Sequence, residues 1–335
     1  MRAARAGRGW RRGLAGLASL RLTAGLLLVL MVILVLGAQE LVESEWPRVA
    51  LLFALALNLV ATVARRWKGF LRKPGLLGFH LALIGLCGVA GAGRLVHQEC
   101  ELLLIEGQER GLAATVRSRG PLAPGWLQEA GVRLERYQVE YHRSGTQLAA
   151  EARLQVNEEG GAVRSIVLRP GQGVSVSGVR YSLWPNAGFA ALFSLTTPSG
   201  ARSQGAITFP EYRRKPLEQV QVLNLPGGSG AISAELELPD LRGEGERWRL
   251  EAPPEARVAL ILPGATEPWR LAVGQALELP LGTLRLEALP TYARLSAPYD
   301  PVWPVVVTLL AALPFFLLWH YLWTMRGRKK GRSPA

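Results

Sequence analysis

The chain has 335 residues, of which 49% are hydrophobic, and a formal net charge of +13. This length allows one or two domains. Sixteen of the 39 basic residues lie in three acid-free clusters that adjoin long apolar runs, and the rest of the chain has slightly more acidic than basic residues. The charge distribution therefore excludes a soluble nucleic-acid-binding protein and favours a protein of the lipid bilayer.

Four apolar runs predict transmembrane helices, because a helix needs about 20 apolar residues to cross the hydrocarbon core. The first run follows a basic segment, as the apolar core of a signal peptide would. However, Gly37-Ala38-Gln39 is a poor cleavage site and a second apolar run follows at once, so we expect the first run to be retained as an anchor. The predicted helices cover residues 20–39, 48–64, 76–94 and 302–324.

The basic clusters predict the orientation of the chain. They lie in the N-terminal segment 1–19 together with Arg21, in the loop 65–75 and in the C-terminal tail 325–335. With four crossings all three fall on one side, and basic loops are retained in the cytoplasm. We therefore expect a multi-pass protein of the bacterial cytoplasmic membrane with both termini inside. The alternative, that the basic ends bind RNA or anionic lipid, explains the alternation less well.

The long segment between the third and fourth helices has the pattern of a β-rich domain. Short stretches of alternating polar and apolar residues predict half-buried strands, and Gly- and Pro-rich turns separate them. The segment 95–300 is thus expected to be an extracytoplasmic, all-β, sandwich-like domain with one or two antiparallel sheets. Predicted strands are Val132–Tyr141, Ala152–Val156, Ser165–Leu168, Val174–Leu183, Ile232–Leu238, Trp248–Ala252 and Thr283–Leu289.

The two cysteines do not predict a disulfide. Cys87 lies inside the third apolar run and Cys100 lies just beyond it. If this segment is helical, the two are roughly 20 Å apart, which is too far for a bridge. Cys100 is then a free thiol in the outer domain, where no second cysteine could complete a dithiol.

His80 is the main candidate for a functional residue, because it lies inside the third apolar run. An ionisable group in a membrane helix tends to face a partner or a ligand. A neutral imidazole can bind haem iron; alternatively, His80 forms an interhelical hydrogen bond or lies near the interface. His320 could approach it, although an interfacial position is favoured. Asn58 in the second run is expected to bond to a neighbouring helix.

The sequence contains no recognisable catalytic motif. It has no Gly-rich phosphate loop, no CxxC or CxxCH, no HExxH and no GxSxG. His97 and His142 follow predicted elements and are expected to be solvated. Whether the chain is an enzyme is left open by these patterns, and no catalytic residue is predicted.

Five segments follow one another along the chain with a characteristic order and spacing. They are Leu17–Thr23 with the following Leu/Val run, Ala54–Val63 with Arg65-Arg66, Gly78–Gly85, Leu102–Gly107 and Asp300-Pro301. By their order and spacing, more than by any one of them, these segments resemble the ResB/CcsB family of cytochrome c biogenesis proteins. In this resemblance His80 would match the intramembrane haem-ligating histidine of that family.

The resemblance implies a subunit that passes haem across the membrane for covalent attachment to apocytochrome c. It implies a CcsA/ResC-type membrane subunit as partner, a transiently held b-type haem, and a non-catalytic role in a cytochrome c synthetase complex. Two alternatives remain: a membrane-anchored scaffold, whose outer domain docks envelope proteins without binding haem, and a transporter subunit. Four short helices disfavour the transporter.

Overall fold

The computed structural model describes residues 17–39, 41, 44–210, 221–224, 231–239, 245–262 and 267–330. The N-terminal basic residues up to 16, the tail beyond 330 and the Gly/Pro segment 226–230 lie outside the described residues. The chain divides into two compact units. One holds the helices and the other, residues 99–117 and 125–298, holds most of the strands.

The described residues of the helical unit form four long helices and a short one. They are α1 (Leu20–Ala38), α2 (Trp46–Arg65), α3 (Trp67–Leu71), α4 (Pro74–Val96) and α5 (Trp303–Lys330). All but α3 are long and apolar enough to cross a membrane, with mean hydropathy of 1.8 to 2.5 over their spans. Pro47 and Pro74 stand in the first turns of α2 and α4, where proline loses no helical hydrogen bond.

Helix α3 lies within the segment that the sequence predicted as a plain loop, residues 65–75. Its five residues are too few to show a periodic pattern, so only the apolar Trp67, Phe70 and Leu71 between basic residues mark it. Phe70 is buried at 6% exposure, whereas Trp67 and Leu71 remain exposed. The segment is therefore an ordered element with one residue packed inward.

Glycines on α4 allow its close packing against α5. A Cβ on Gly75 would lie 2.6 Å from the backbone nitrogen of His320, and one on Gly78 would lie 2.5 Å from Cδ1 of Phe316. Farther along, Gly85 faces Leu309. The α5 partners run backwards along the chain as the glycines run forwards, so the two helices are antiparallel. Small residues that let backbones approach are how membrane helices associate.

The described strands form three sheets. The strands are β1 Gln98–Ile105, β2 Glu109–Gly111, β3 Val116–Arg119, β4 Gly131–His142, β5 Gln147–Asn157, β6 Val163–Leu168, β7 Gly173–Val176, β8 Val179–Thr196, β9 Arg202–Pro210, β10 Gln221–Asn224, β11 Ala231–Glu237, β12 Arg247–Arg249, β13 Arg257–Ile261, β14 Trp269–Ala272, β15 Ala276–Leu279, β16 Gly282–Ala288 and β17 Thr291–Ser296. The eight-stranded sheet has the order β15-β16-β8-β17-β1-β3, with β7 and β9 also paired to β8. A five-stranded sheet has the order β12-β4-β5-β6 with β2 on β4, and a four-stranded sheet has the order β10-β11-β13-β14.

The fold class predicted from the sequence is confirmed: four long apolar helices accompany a large β-sheet-rich region. The predicted number of sheets, one or two, was wrong, since the described strands already form three. The predicted strand Val174–Leu183 is also wrong as a single element. It is a hairpin of β7 and the start of β8, which turns at Ser177 and Gly178, both with positive φ.

Strand β8 is the centre of the large sheet, with strands on both edges. Its segment Gly188–Leu195 is almost continuously apolar and largely buried. Phe189, Phe209 and Tyr181 are among the largest fully buried side chains of the described residues. Burial raises the pKa of the Tyr181 hydroxyl, and the neighbouring Cys100 thiol raises it further. The core of this unit therefore lies around β8 and needs no disulfide.

Candidate functional site

His80 lies in the second turn of α4, and a backbone hydrogen bond orients its ring. Nδ1 lies 2.9 Å from the carbonyl oxygen of Leu76, one turn earlier in the helix. Because a carbonyl can only accept, Nδ1 carries the hydrogen, and in the neutral ring Nε2 then keeps its lone pair. No group among the described residues forms a hydrogen bond with Nε2. The imidazole is thus held in the tautomer that can ligate a metal through Nε2.

Two phenylalanines pack against the His80 ring. The ring centroid of Phe70 lies 4.7 Å away in an edge-on arrangement, and that of Phe79 lies 5.8 Å away, also edge-on. Phe70 comes from α3 and is itself buried. The short helix therefore holds one side of the imidazole, while the histidine side chain remains only half-buried.

His320 of α5 packs against a different side of α4 from the one that carries His80. Its backbone fits against Gly75, and its Nδ1 is buried without a hydrogen-bond partner in the described part of the chain. His80 is five residues beyond Gly75, which corresponds to a rotation of about 140° around the helix. The two histidines consequently lie on different sides of α4, and no hydrogen bond or ring contact between described residues joins them.

Asn58 connects α2 to the N-terminal part of the helical unit, as predicted. Its Oδ1 accepts a hydrogen bond of 2.7 Å from the Thr23 hydroxyl of α1. Its Nδ2 donates to the carbonyl oxygen of Leu17. Asn58 is 1% exposed, so its amide group is both buried and bonded, as an amide inside a helical bundle must be.

A charged cluster that sequence reasoning missed lies at the opposite end of α4 from His80. The Glu45 carboxylate pairs with the Arg48 guanidinium and lies 4.0 Å from Nη1 of Arg94. Glu45 is 7% exposed, and the Arg48 guanidinium occupies the space that a side chain at Gly37 would fill. The cluster thus joins α1, α2 and α4. Glu45 is an acid in a loop next to an apolar run, which was the signal available in the sequence.

The structure does not bring together the remaining residues that the sequence analysis considered, the two cysteines and His142. Cys87 and Cys100 form no disulfide, as predicted. Cys100 is 1% exposed, with its Sγ 3.5 Å from the carbonyl oxygen of Leu112. His142 is exposed and bonds to Ser144. Among the described residues, no group of three or more His, Cys, Asp or Glu side chains could hold a metal ion.

Two of the grooves on the described part of the β-rich unit are lined largely by polar residues. One, of about 660 Å³, runs along β4 and β5, and its carboxylates are paired: Glu140 with Arg249 and Glu151 with Arg169. The Arg169 hydrogen bond is the main reason that the pKa of Glu151 is lowered. The other, of about 520 Å³, is lined in part by Phe193, Gln204 and Glu287. Neither groove presents a nucleophile beside a base.

A comparison with known protein families finds a match for part of the chain. The family model of the ResB-like family matches residues 38–180. These residues include the helices α2, α3 and α4 and the first strands of the β-rich unit. Among curated protein sequences, none matches this chain. The predicted resemblance to the ResB-like family is thus confirmed over residues 38–180, the region that contains His80.

Proposed function

We propose that this chain is a haem-handling subunit of a membrane complex for c-type cytochrome maturation. The similarity of residues 38–180 to the ResB-like family suggests a role in cytochrome c biogenesis. The four apolar helices suggest a membrane protein. The proposal adds to these statements that the cargo is haem and that His80 is its axial ligand.

The observation that carries the proposal is the orientation of His80. Its Nδ1–H is bound to the Leu76 carbonyl, so the lone pair of Nε2 is available to an iron atom. A ring anchored in this way loses little freedom when it binds a ligand. Such a backbone hydrogen bond is also the usual second contact of a metal-bound imidazole.

The surroundings of His80 fit an apolar cargo. Phe70 and Phe79 lie against the ring, and no acidic residue occurs in α4 or α3. Haem is large, flat and mostly apolar, so a site on a membrane helix with one imidazole suits its chemistry. When bound, haem would supply the iron that Nε2 ligates. The chain supplies the fixed imidazole and the aromatic edges beside it.

The proposal includes two partners and an orientation. A CcsA/ResC-type membrane subunit would complete the complex, and apocytochrome c would receive the haem outside the cytoplasm. The basic clusters support cytoplasmic termini and an extracytoplasmic β-rich unit. A reporter that is active only in the cytoplasm can be inserted at Gly200, an exposed turn residue with φ of +82°. We expect no reporter activity, and a strong signal would show that the orientation is inverted.

The haem proposal is tested with His80→Ala and His142→Ala, each copurified with the partner subunit. Haem is quantified by the Soret band and by conversion to the pyridine haemochrome. We expect His80→Ala to bind at least about tenfold less haem than the wild type. Removing a residue that only hydrogen-bonds to a metal ligand already weakens metal binding about tenfold or more. His142→Ala should retain it, because His142 is an exposed residue of the β-rich unit.

Added imidazole separates loss of a ligand from loss of structure. If the only defect of His80→Ala is the missing nitrogen, free imidazole should restore the Soret band. Equal haem in wild type and His80→Ala would contradict the ligand assignment and leave the chain as a membrane-anchored scaffold.

A further inference from the structure

We propose that α3 and its flanking residues form a binding surface for anionic phospholipid headgroups. This surface, named here the basic rim, consists of Arg66, Lys68, Arg72 and Lys73 together with the exposed apolar residues Trp67 and Leu71. The inference concerns the lipid around the helices and does not depend on the haem proposal.

The first observation is the absence of counter-charges. The four cations of the basic rim are exposed, and within the described part of the chain none forms an ion pair. Arginines of the β-rich unit, in contrast, are commonly matched by glutamates, as in the pairs Arg270–Glu237 and Arg202–Glu287. No acidic residue occurs between Arg65 and Lys73. The charge of the basic rim is therefore left to be neutralised from outside the chain.

The second observation is the position of the apolar side chains. Trp67 is 48% exposed and Leu71 is 55% exposed, and both belong to the five-residue helix between α2 and α4. Since α2 and α4 are both long and apolar enough to span a membrane, α3 lies where the hydrocarbon ends. Tryptophan and leucine at that depth insert beside lipid headgroups, with basic residues at the phosphate level.

The third observation links the basic rim to the rest of the molecule. Phe70, which lies between Lys68 and Arg72 in the sequence, is buried and contacts the His80 ring at 4.7 Å. The rim residues are thus held on an ordered element with one anchored side chain. A fixed arrangement of four cations favours a phospholipid with a negative headgroup over a zwitterionic one, because each basic residue at an anionic surface strengthens binding about fivefold.

The test measures the lipid that contacts Trp67 in the full chain. The protein is reconstituted into nanodiscs of phosphatidylcholine that contain a small fraction of brominated phosphatidylglycerol or, in a parallel sample, brominated phosphatidylcholine. The fluorescence difference between wild type and Trp67→Phe isolates the contribution of Trp67. We expect brominated phosphatidylglycerol to quench this contribution several-fold more than brominated phosphatidylcholine does. Equal quenching by the two lipids would overturn the proposal.

Two charge-removal variants separate the effect of the basic rim from that of the net charge of the chain. The variant Arg66→Gln/Lys68→Gln/Arg72→Gln/Lys73→Gln should lose the preference. The matched variant Arg153→Gln/Arg169→Gln/Arg249→Gln/Arg270→Gln removes the same charge from paired arginines and should keep it. If both variants lose the preference, net charge rather than the basic rim attracts the lipid, and the proposal fails.

A salt series needs no variant and therefore does not depend on folding of the altered chain. The preference of the wild type should fall as the salt concentration rises from about 0.05 M to 1 M, because the screening length shrinks to roughly 3 Å. A preference that does not change with salt would contradict an electrostatic lipid site.

Discussion

The Thr23 hydroxyl of α1 donates a hydrogen bond of 2.7 Å to Oδ1 of Asn58 in α2. The same Asn58 side chain donates to the carbonyl oxygen of Leu17. One buried amide therefore connects α2 both to α1, which otherwise presents an exposed apolar surface, and to a residue just before α1 begins. Polar contacts of this kind are the specific part of helix association where the surrounding lipid is as apolar as the side chains.

Asn58→Ala should lower the free energy of unfolding by about 1–2 kcal/mol, since interhelical hydrogen bonds in membrane proteins contribute about 0.6 kcal/mol each and at most about 1.7. The measurement is denaturant unfolding in detergent. Leu57→Ala is the control, because Leu57 is 56% exposed on the same helix. A double-mutant cycle with Thr23→Ala should give a coupling energy above about 0.5 kcal/mol. Additive effects would show that the Thr23 bond contributes nothing.

Gly75→Ala should weaken the packing of α4 against α5. The added Cβ would lie 2.6 Å from the backbone nitrogen of His320, and a backbone cannot rotate away as a side chain can. Overpacking of this kind costs about 1–3 kcal/mol. Gly88→Ala on the same helix is the matched control, because no heavy atom lies within 4 Å of its Cβ position. Thermal unfolding in detergent should separate the two variants, and equal midpoints would contradict the antiparallel contact.

Gly188→Ala should destabilise the β-rich unit. A Cβ at Gly188 would overlap the carbonyl oxygen of Phe209 on the paired strand and would lie 2.8 Å from the Tyr292 ring. We expect a loss of about 1–3 kcal/mol, visible as a lower unfolding midpoint by near-ultraviolet circular dichroism. Gly205→Ala, on the adjacent strand β9, meets nothing within 4 Å. It should unfold as the wild type does.

Ser194→Ala should change the pH dependence of stability. The hydrogen bond from the Ser194 hydroxyl, assisted by the Arg202 guanidinium, lowers the pKa of the Glu287 carboxyl. A lowered pKa in the folded state gives a stabilisation that is present above the unfolded pKa of about 4.3 and is lost as the pH falls through the folded value. Ser194→Ala should therefore unfold at a lower temperature than the wild type, and this difference should be larger at pH 7 than at pH 3.

Ser203→Ala on β9 is the control for this pH effect, because Ser203 lies on a neighbouring strand and contributes no hydrogen bond to Glu287. Its difference from the wild type should be the same at both pH values. If the difference for Ser194→Ala also stays constant between pH 7 and pH 3, the Ser194 hydroxyl does not set the pKa of Glu287.

The sequence predicted those elements that have a pattern of their own. Long apolar runs identified the helices that could span a membrane, and alternation over Val132–Tyr141, interrupted once at Glu135-Arg136, identified most of β4. The continuously apolar Gly188–Leu195 of β8 was not recognised, because a strand buried on both faces does not alternate. Helix α3 was not predicted, because five residues are too few to show a helical period. Its contact with His80 depends on how the chain turns back between α2 and α4.

For the candidate site, the sequence predicted only the type of residue and its position in an apolar run. An ionisable His80 in an apolar run indicated a ligand or a polar contact, and this much needed no structure. The bond to Leu76, the aromatic edges of Phe70 and the separation from His320 follow from helix geometry and packing. The Glu45–Arg48–Arg94 cluster requires three helix ends to meet, which no local pattern encodes.

The pairing of Gly75 with His320 sets a constraint on biosynthesis. Residues 97–302 must be translated after α4 and before α5 begins, which takes roughly 10–40 s at about 5–20 residues per second. During that interval the glycine face of α4 is already made while its partner is still absent. Ribosome stalling or premature termination within the β-rich segment would therefore leave α4 with its glycine face unpaired.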